Sequence, residues 1–357
     1  MSPETQALLR ELTPPNGFAA PGLVDPHTHL LFAGERAEEY VRRAAGVHYQ
    51  EIAASGGGIL STVRATRQAT KDQLVELGLS RLKTMLSFGV TTVEVKTGYG
   101  LTLKDELKLL DAIFELRQLQ PVEIVATFMP AHAVPPETSA DAYIDHVCEE
   151  MLPAAKEHPA EPKFVDVFCE KGAFTLAQSR KVFQAAARLG FGLKIHADEF
   201  NNLGGSQLAG YWEAVSAEHL LKSDQDDWRM LVEGGVTPVL LPGTAFTLKE
   251  PYANARGMIE TGLKPAIGTD FNPGSCPIIS LPFVMGLAVL YMGLTPDEAL
   301  AAVTANALQA LALPPEHGAD DATIWPYPSV AHIAYNMSVA RPRFVIKNGQ
   351  VVCENPV

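Results

Sequence analysis

The sequence is poor in cysteine and contains no secretory or disulfide pattern. Its four cysteines are scattered over 357 residues, and no Cys-x-x-Cys pair occurs. This spacing predicts reduced thiols in a cytoplasmic protein rather than a disulfide framework. Residues 1–22 show no basic segment followed by an apolar one, so no secretory signal is expected.

Basic residues are also scarce, and no apolar run is long enough for a membrane span. The chain has 28 Lys and Arg against 41 Asp and Glu, a net charge of −13, which argues against a nucleic-acid partner. The most apolar stretch, 278–294, contains Pro282 and two glycines and is short for a bilayer of about 30 Å. We expect it to form a buried helix. The net charge does not exclude a small anionic substrate, because one local arginine can bind a carboxylate.

Apolar runs typical of strands alternate with amphipathic helical patterns along most of the chain. The apolar runs are 23–25, 90–95, 122–128, 164–168, 193–196, 214–217, 237–241 and 265–268. The clearest helical patterns are 72–88, 103–119, 176–189 and 206–211. Strands that are apolar on both faces suit a parallel sheet covered by helices. Eight such units predict a (β/α)8 barrel over residues 21–312.

The two ends of the chain differ from the barrel. Residues 1–20 predict a short helix, Pro3–Leu12, followed by a loop. Residues 313–357 predict a small accessory β-element with strands at 322–325, 343–347 and 350–352. Asn348-Gly349 lies between alternating apolar residues and is a strong hairpin signal.

Residues at the ends of three of the apolar runs predict a metal site. His27 and His29 are two positions apart at a strand end, so both imidazoles face the same side. His196 ends one later run, and Asp270 comes shortly after another. All four therefore belong to the carboxyl end of the barrel, where such folds place their chemistry. Three imidazoles and one carboxylate suit one divalent ion, either zinc or iron.

Five further residues are candidates for contact with a substrate. Glu199 could bind ring nitrogens or shuttle a proton, and His219 could polarise a carbonyl or orient water. His132 could contact the substrate, and Arg36 could grip a carboxylate bidentately. Tyr99 lies between two glycines that permit close approach to a ligand. The structural alternatives are an N-cap carboxylate, core histidines, a surface arginine and a packed aromatic ring.

The remaining histidines occur without partner residues in the sequence. We predict structural roles for all of them: His48, His146, His158, His317 and His332.

Longer strings resemble the imidazolonepropionases of the amidohydrolase superfamily. Besides the His-x-His pair, the resemblance rests on 89–100 (GVTTVEVKTGYG), 131–135 (AHAVP), 194–199 (KIHADE), 241–244 (LPGT) and 268–274 (GTDFNPG). It extends from about Pro21 to Ala312. It implies hydrolysis of 4-imidazolone-5-propanoate to N-formimidoyl-L-glutamate in histidine degradation, with a metal-activated water.

The resemblance also implies a role for each site residue. The metal ligands would be His27, His29, His196 and Asp270, and the ion would be Zn²⁺ or iron. The catalytic residues would be Glu199, His219 and Asp270. The substrate contacts would be Arg36 (to the propionate), Tyr99, His132, Glu199, Asn272, Gly274 and Ser275.

The same sequence also fits two other functions, and its start raises one structural question. A related amidohydrolase that deaminates a cyclic amidine or nucleobase fits the same ligands, although Arg36 would then lack a carboxylate partner. A non-catalytic barrel scaffold is the third reading, and a homodimer is possible for any of them. Relatives carry strands before the barrel that pair with the C-terminal strands. Here only a helix-like segment precedes Pro21, so we expect those strands to lack partners or to be covered by the helix.

Overall fold

A parallel eight-stranded sheet forms the body of the molecule in the computed structural model, which describes residues 1–47 and 57–356. Its strands lie in sequential order and alternate with helices, giving the nearly closed (β/α)8 barrel that the sequence predicts. Each of the eight predicted runs overlaps one strand. The strands are β2 Leu23–Asp25, β3 Val90–Lys96, β4 Glu123–Ala131, β5 Phe164–Cys169, β6 Gly192–Ala197, β7 Ser216–His219, β8 Thr237–Leu240 and β9 Ala266–Ile267.

The barrel closes at the two stretches that carry the predicted metal ligands. Beyond the end of β9, the Asp270 amide donates to the His27 carbonyl at 3.0 Å. The His29 amide donates to the Phe271 carbonyl, also at 3.0 Å. These bonds connect the first and last strands of the barrel, so the fold itself aligns the two ligand-bearing segments.

Helices surround the barrel, and most of them begin at a side-chain cap. Thr70 and Thr175 each form a reciprocal capping box, which fixes the first turn of the following helix. The predicted pattern 103–119 is confirmed as Leu103–Leu119. The helices among the described residues are Pro3–Leu12, Ala37–Ala44, Ile59–Gln68, Lys71–Ser87, Leu103–Leu119, Ala140–His146, Leu152–Lys156, Leu176–Arg188, Gly205–Tyr211, Gln225–Glu233, Pro242–Leu248, Ala255–Glu260, Leu281–Tyr291, Pro296–Ala302, Ala305–Ala310 and Ala331–Tyr335, with a π-helical segment at Val147–Met151.

A second sheet combines both ends of the chain. Strands β1 (Phe18–Pro21), β10 (Ala322–Trp325), β11 (Phe344–Lys347) and β12 (Gln350–Glu354) pair antiparallel in that order. The predicted hairpin and the helix Pro3–Leu12 are confirmed.

The prediction of a loop after the first helix is wrong for its last residues, because Phe18–Pro21 forms a strand. It has no β-branched residue and no alternating pattern, so its sequence gave no strand signal. It pairs with β10, and Leu8, Leu9 and Leu12 of the first helix pack on the same sheet. The C-terminal strands therefore pair with β1 and are covered by the first helix. The division of the chain at residues 20 and 312 stays a prediction.

The apolar stretch 278–294 forms a helix, Leu281–Tyr291, as predicted. Its first eight residues are mostly buried, and only its last turn exposes Leu290 and Tyr291. No helix in residues 1–47 or 57–356 is both long and apolar enough to cross a bilayer.

Candidate active site

Four predicted ligand side chains converge at the carboxyl end of the barrel. The imidazole Nε2 atoms of His29 and His196 are 3.3 Å apart. Asp270 Oδ1 lies 3.3 Å from His27 Nε2 and 3.6 Å from His29 Nε2. All four side chains are buried. Residues that are 167 and 243 positions apart in sequence thus direct their donor atoms to one point.

This donor set fits a divalent metal ion. Among the described residues, the buried His27 Nε2 has no hydrogen-bond partner. Two neutral imidazoles whose Nε2 atoms are 3.3 Å apart gain most from a cation between their lone pairs. Imidazole nitrogen and carboxylate oxygen are the ligands that zinc and iron accept. His219 lies close enough to His27 and His196 to form a second donor group with them.

Glu199 and His219 are buried beside the donor atoms. Glu199 Oε1 and His219 Nδ1 are 3.8 Å apart. Burial, reinforced by the charges of Asp270 and Glu170, raises the pKa of Glu199 well above the ordinary value of a glutamate. Burial lowers the pKa of His219 to about 3, so its imidazole is neutral at physiological pH. Glu199 can therefore exchange a proton, while His219 can donate or accept a hydrogen bond without carrying charge.

Asp270 stays ionised despite its burial. Burial alone would raise its pKa, but the contact with His27 and the hydrogen bond from Thr244 lower the pKa to about 2. Thr244 Oγ1 donates to Asp270 Oδ2 at 2.5 Å, so the second carboxylate oxygen is held in place. Asp270 and His219 both adopt positive φ angles, 51° and 74°. Backbone strain of this kind is common where a site fixes its side chains.

His132 and Tyr99 form an aromatic wall next to His29. The His132 ring stacks on His29 with centroids 4.6 Å apart, and the Tyr99 ring centroid lies 5.3 Å from that of His132. His132 Nδ1 lies 3.2 Å from the Gly98 carbonyl, which can only accept. The proton is therefore on Nδ1, and Nε2 is left as an acceptor for a ligand N–H. Burial lowers the pKa of His132 to about 3 and keeps the ring neutral.

A cavity of about 470 Å³ joins these groups to Arg36. Arg36 is 8% exposed, and its Nε and Nη2 atoms bind Glu39 Oε2 at 2.8 and 2.7 Å. The guanidinium lies directly against Gly274, since a Cβ built on that glycine would be 1.9 Å from Arg36 Nη1. Glu39 and Gly274 therefore set the position of the arginine from two sides.

The Asn272–Ser275 turn is organised by the side chain of Asn272. Its Oδ1 accepts from the amides of Gly274 and Ser275, both at 2.8 Å, and its Nδ2 donates to the Asp270 carbonyl at 2.7 Å. Asn272 and Ser275 line the cavity. Gly274 does not line the cavity, but it leaves the space that the Arg36 guanidinium occupies.

The predicted site residues are thus brought together. Those that line the cavity are His29, Arg36, Tyr99, His132, His196, Glu199, His219, Asp270, Asn272 and Ser275. His27 lies beneath it in the barrel. Of the histidines predicted to be structural, His158 pairs with Asp111 at 3.2 Å and His317 with Glu123 at 3.0 Å. His48 lies outside the described residues.

Comparisons with known proteins show the family of the chain. The amidohydrolase family profile matches residues 18–352. The imidazolonepropionase of Symbiobacterium thermophilum is 50% identical over 343 residues, which cover 94% of this chain and 81% of that protein. The imidazolonepropionase of Alkaliphilus oremlandii is 47% identical with the same coverage. The chain belongs to the imidazolonepropionase family of amidohydrolases.

Solved structures with low sequence identity to this chain share its fold. The 5-methylcytosine deaminase of Klebsiella pneumoniae superposes with a TM-score of 0.75 at 15% identity, covering 96% of this chain and 87% of that one. A zinc-bound adenosine deaminase of Xanthomonas campestris gives a TM-score of 0.68 at 15% identity, covering 94% and 80%. At this identity the likeness concerns the barrel and its accessory sheet alone.

One cavity residue that the sequence analysis missed is Glu170, at the end of β5. Its Oε2 accepts from the backbone amides of Phe200 and Asn201 at 2.9 and 3.1 Å. Its Oε1 accepts from Asn201 Nδ2 and from the Lys171 amide at 2.8 and 2.7 Å. This carboxylate therefore anchors the loop that begins at Glu199. The available signal was an acidic residue directly after an apolar strand.

The second group that was missed lies inside the barrel beneath the ligands. Its members are Glu94, Lys96, Asp166, Lys194 and Glu218, all fully buried. The sequence signal was a charged residue within apolar strands, as in Val-Glu-Val-Lys at 93–96.

Proposed function

We propose that this protein hydrolyses the ring C–N bond of 4-imidazolone-5-propanoate and releases N-formimidoyl-L-glutamate, a step of histidine degradation. The proposal is carried by one cavity that joins a three-histidine, one-aspartate donor set to a buried arginine. In this cavity the ring carbonyl of the substrate would face the donor set, and its carboxylate would face the arginine. Relatives that are named imidazolonepropionase at 46–50% identity support the same reaction.

The metal would be held by the four predicted ligands. His27, His29, His196 and Asp270 would bind one divalent ion, zinc or iron, since both accept this donor set. Such an ion supplies a water with a pKa lowered to about 7 and polarises a carbonyl oxygen.

Hydrolysis requires a proton to travel from water to the departing ring nitrogen. Water oxygen bonds to the ring carbonyl carbon, the C–N bond of that carbonyl breaks, and the carbonyl becomes a new carboxylate. Asp270 is ionised and can take the water proton, and it can pass that proton to the leaving amidine nitrogen. Glu199 orients the water and the ring nitrogens. His219 is neutral and can donate to the oxygen on which negative charge develops.

The rest of the cavity recognises the substrate. The Arg36 guanidinium, fixed by Glu39, would bind the propionate carboxylate. His132 Nε2 would accept from a ring N–H, and Tyr99 would pack beside the ring. The Asn272–Ser275 turn would form the adjoining wall. All four cysteines are free thiols, which suits the reducing cytoplasm proposed for the enzyme.

The assay that tests the proposal follows substrate absorbance after addition of purified protein. Metal-dependent loss of 4-imidazolone-5-propanoate, with formation of N-formimidoylglutamate by mass spectrometry, is expected. No loss from folded, metal-loaded protein would reject the substrate. Ammonia release from cytosine or guanine under those conditions would favour a deaminase instead. We expect no nucleic-acid or membrane partner, and a homodimer stays a prediction that sedimentation can test.

A further inference from the structure

A connected set of buried charges lies inside the barrel beneath the donor atoms. The ammonium of Lys96 contacts Asp166 Oδ2 at 2.8 Å, Glu94 Oε2 at 2.9 Å and Glu218 Oε2 at 3.0 Å. Lys194 contacts Glu94 Oε1 at 2.7 Å and Glu218 Oε1 at 3.2 Å. All five side chains are 0% exposed. Barrel interiors are usually filled by branched apolar residues, so this layer is unusual for the fold.

Two of these carboxylates reach metal-ligand histidines from behind. Asp166 Oδ1 lies 3.1 Å from His196 Nδ1, and Glu218 Oε2 contacts His27 Nδ1. A carboxylate can only accept here, so each histidine carries a proton on Nδ1, and Nε2 is the nitrogen left to bind a metal ion. The Nε2 atoms are the ones directed toward the donor cluster. Lys96 contacts both carboxylates and so connects the supports of two ligands.

The cost of burial makes fold stability a weak explanation for this arrangement. Removing charges from water is costly, and apolar residues of similar volume often stabilise a core as well or better. His29 lacks such support among the described residues: its carboxylate contact is at Nε2, whereas Glu218 and Asp166 reach the Nδ1 atoms of His27 and His196. The network is therefore specific to His27 and His196 rather than a general feature of buried histidines in this chain.

We propose that Asp166 and Glu218, joined through Lys96, are positioning residues that fix the tautomer and ring orientation of His196 and His27 for metal binding. This inference rests on the metal site of the proposed function. Loss of an outer carboxylate of this kind typically weakens metal binding 10- to 100-fold. The inference concerns affinity for the metal and the geometry around it, and it assigns neither carboxylate a contact with substrate.

The test compares Asp166→Asn and Glu218→Gln with Asp321→Asn as a matched control. Asp321 is also buried and paired with a lysine, at 2.6 Å from Lys347 Nζ, but it lies directly before β10 of the small sheet, outside the barrel. Metal-free protein is titrated with Zn²⁺ against a chromophoric chelator and with Co²⁺ by visible absorption. We expect both barrel variants to raise the Kd roughly 10- to 100-fold and to change the Co²⁺ spectrum. The control should lower the Tm of the metal-free protein and leave the Kd unchanged.

Glu218→Asp separates position from charge. It keeps the carboxylate but shortens the side chain by one methylene, so we expect metal affinity to fall as in Glu218→Gln. Wild-type Kd values in both barrel variants, or an equal loss of affinity in Asp321→Asn, would overturn the inference. Should Glu218→Gln fail to fold, Asp166→Asn carries the test, because Asp166 contacts only Lys96 and His196 in the described network. Wild-type protein that binds neither metal would reject the metal site itself.

Discussion

Adding one methyl group at Gly274 should displace Arg36 without disturbing the rest of the fold. A Cβ at this position would lie 1.9 Å from Arg36 Nη1, 2.7 Å from Cζ and 3.3 Å from Nη2. The three closest atoms all belong to the end of one flexible side chain. The guanidinium must withdraw by about 1.5 Å to reach an ordinary nonbonded separation of about 3.5 Å. Gly274 lacks a positive φ angle, so alanine itself is not strained there.

The expected loss is that of a charge-assisted contact with the substrate carboxylate. Such hydrogen bonds contribute about 2 kcal/mol each, which corresponds to a roughly 30-fold decrease in kcat/KM for Gly274→Ala. Most of this should be a higher KM, because the propionate binds alike in the ground and transition states. The assay is steady-state loss of substrate absorbance, with metal content and Tm measured in parallel and expected to be nearly unchanged.

Arg36→Ala provides the matched control through a double-mutant cycle. Without the guanidinium the added methyl meets no close side-chain atom of Arg36, so Gly274→Ala should cause little further loss in the double variant. An imidazolone analogue that lacks the propionate should be turned over alike by wild type and Gly274→Ala. Wild-type kcat/KM in Gly274→Ala, or additive losses in the cycle, would refute the assignment of Arg36 to the carboxylate.

Three further predictions concern the chemistry. Glu199→Gln should lower kcat by about 100-fold or more with unchanged metal content. It should also remove an acidic limb of the pH profile, which lies above the ordinary glutamate pKa of about 4.3 because burial raises it; unchanged turnover would exclude Glu199. Glu170→Gln should lower kcat/KM by roughly 10-fold, because no amide orientation accepts all four donors. Asp227→Asn, a buried neighbour that binds Asn202, should retain wild-type kcat/KM. Chelation should abolish activity and one equivalent of Zn²⁺ or Fe²⁺ should restore it, whereas activity in metal-free protein would contradict the metal assignment.

The barrel and its ligands could be predicted because their signals are local. Each parallel strand reads as a short apolar run, and each ligand lies at the end of such a run or a few residues beyond it, as His196 does in β6 and Asp270 after β9. In a barrel, the ends of separate strands meet at one rim. Position in sequence relative to a strand therefore predicts position in space without knowledge of any contact.

The contacts that support the ligands could not be predicted, because they depend on register across the barrel. Lys96 and Asp166 lie in β3 and β5, and only the stagger of the strands brings the ammonium to the carboxylate at 2.8 Å. Phe18–Pro21 escaped prediction for a related reason. A short edge strand is specified by the strand with which it pairs, here β10, rather than by its own residues.

The same structural event completes the barrel and forms the site. β2 and β9 contain only three and two residues, because the chain leaves the regular sheet where His27 and Asp270 begin the ligand segments. The bond from the Asp270 amide to the His27 carbonyl closes the ring of strands and sets the separation of these two ligands. Below this junction of β2 and β9, Glu218 in β7 contacts His27 Nδ1 from inside the barrel. Ligand geometry is thus determined by strand closure on one side and by the buried charges on the other. Rearrangement of either should affect metal affinity before it affects substrate binding at Arg36.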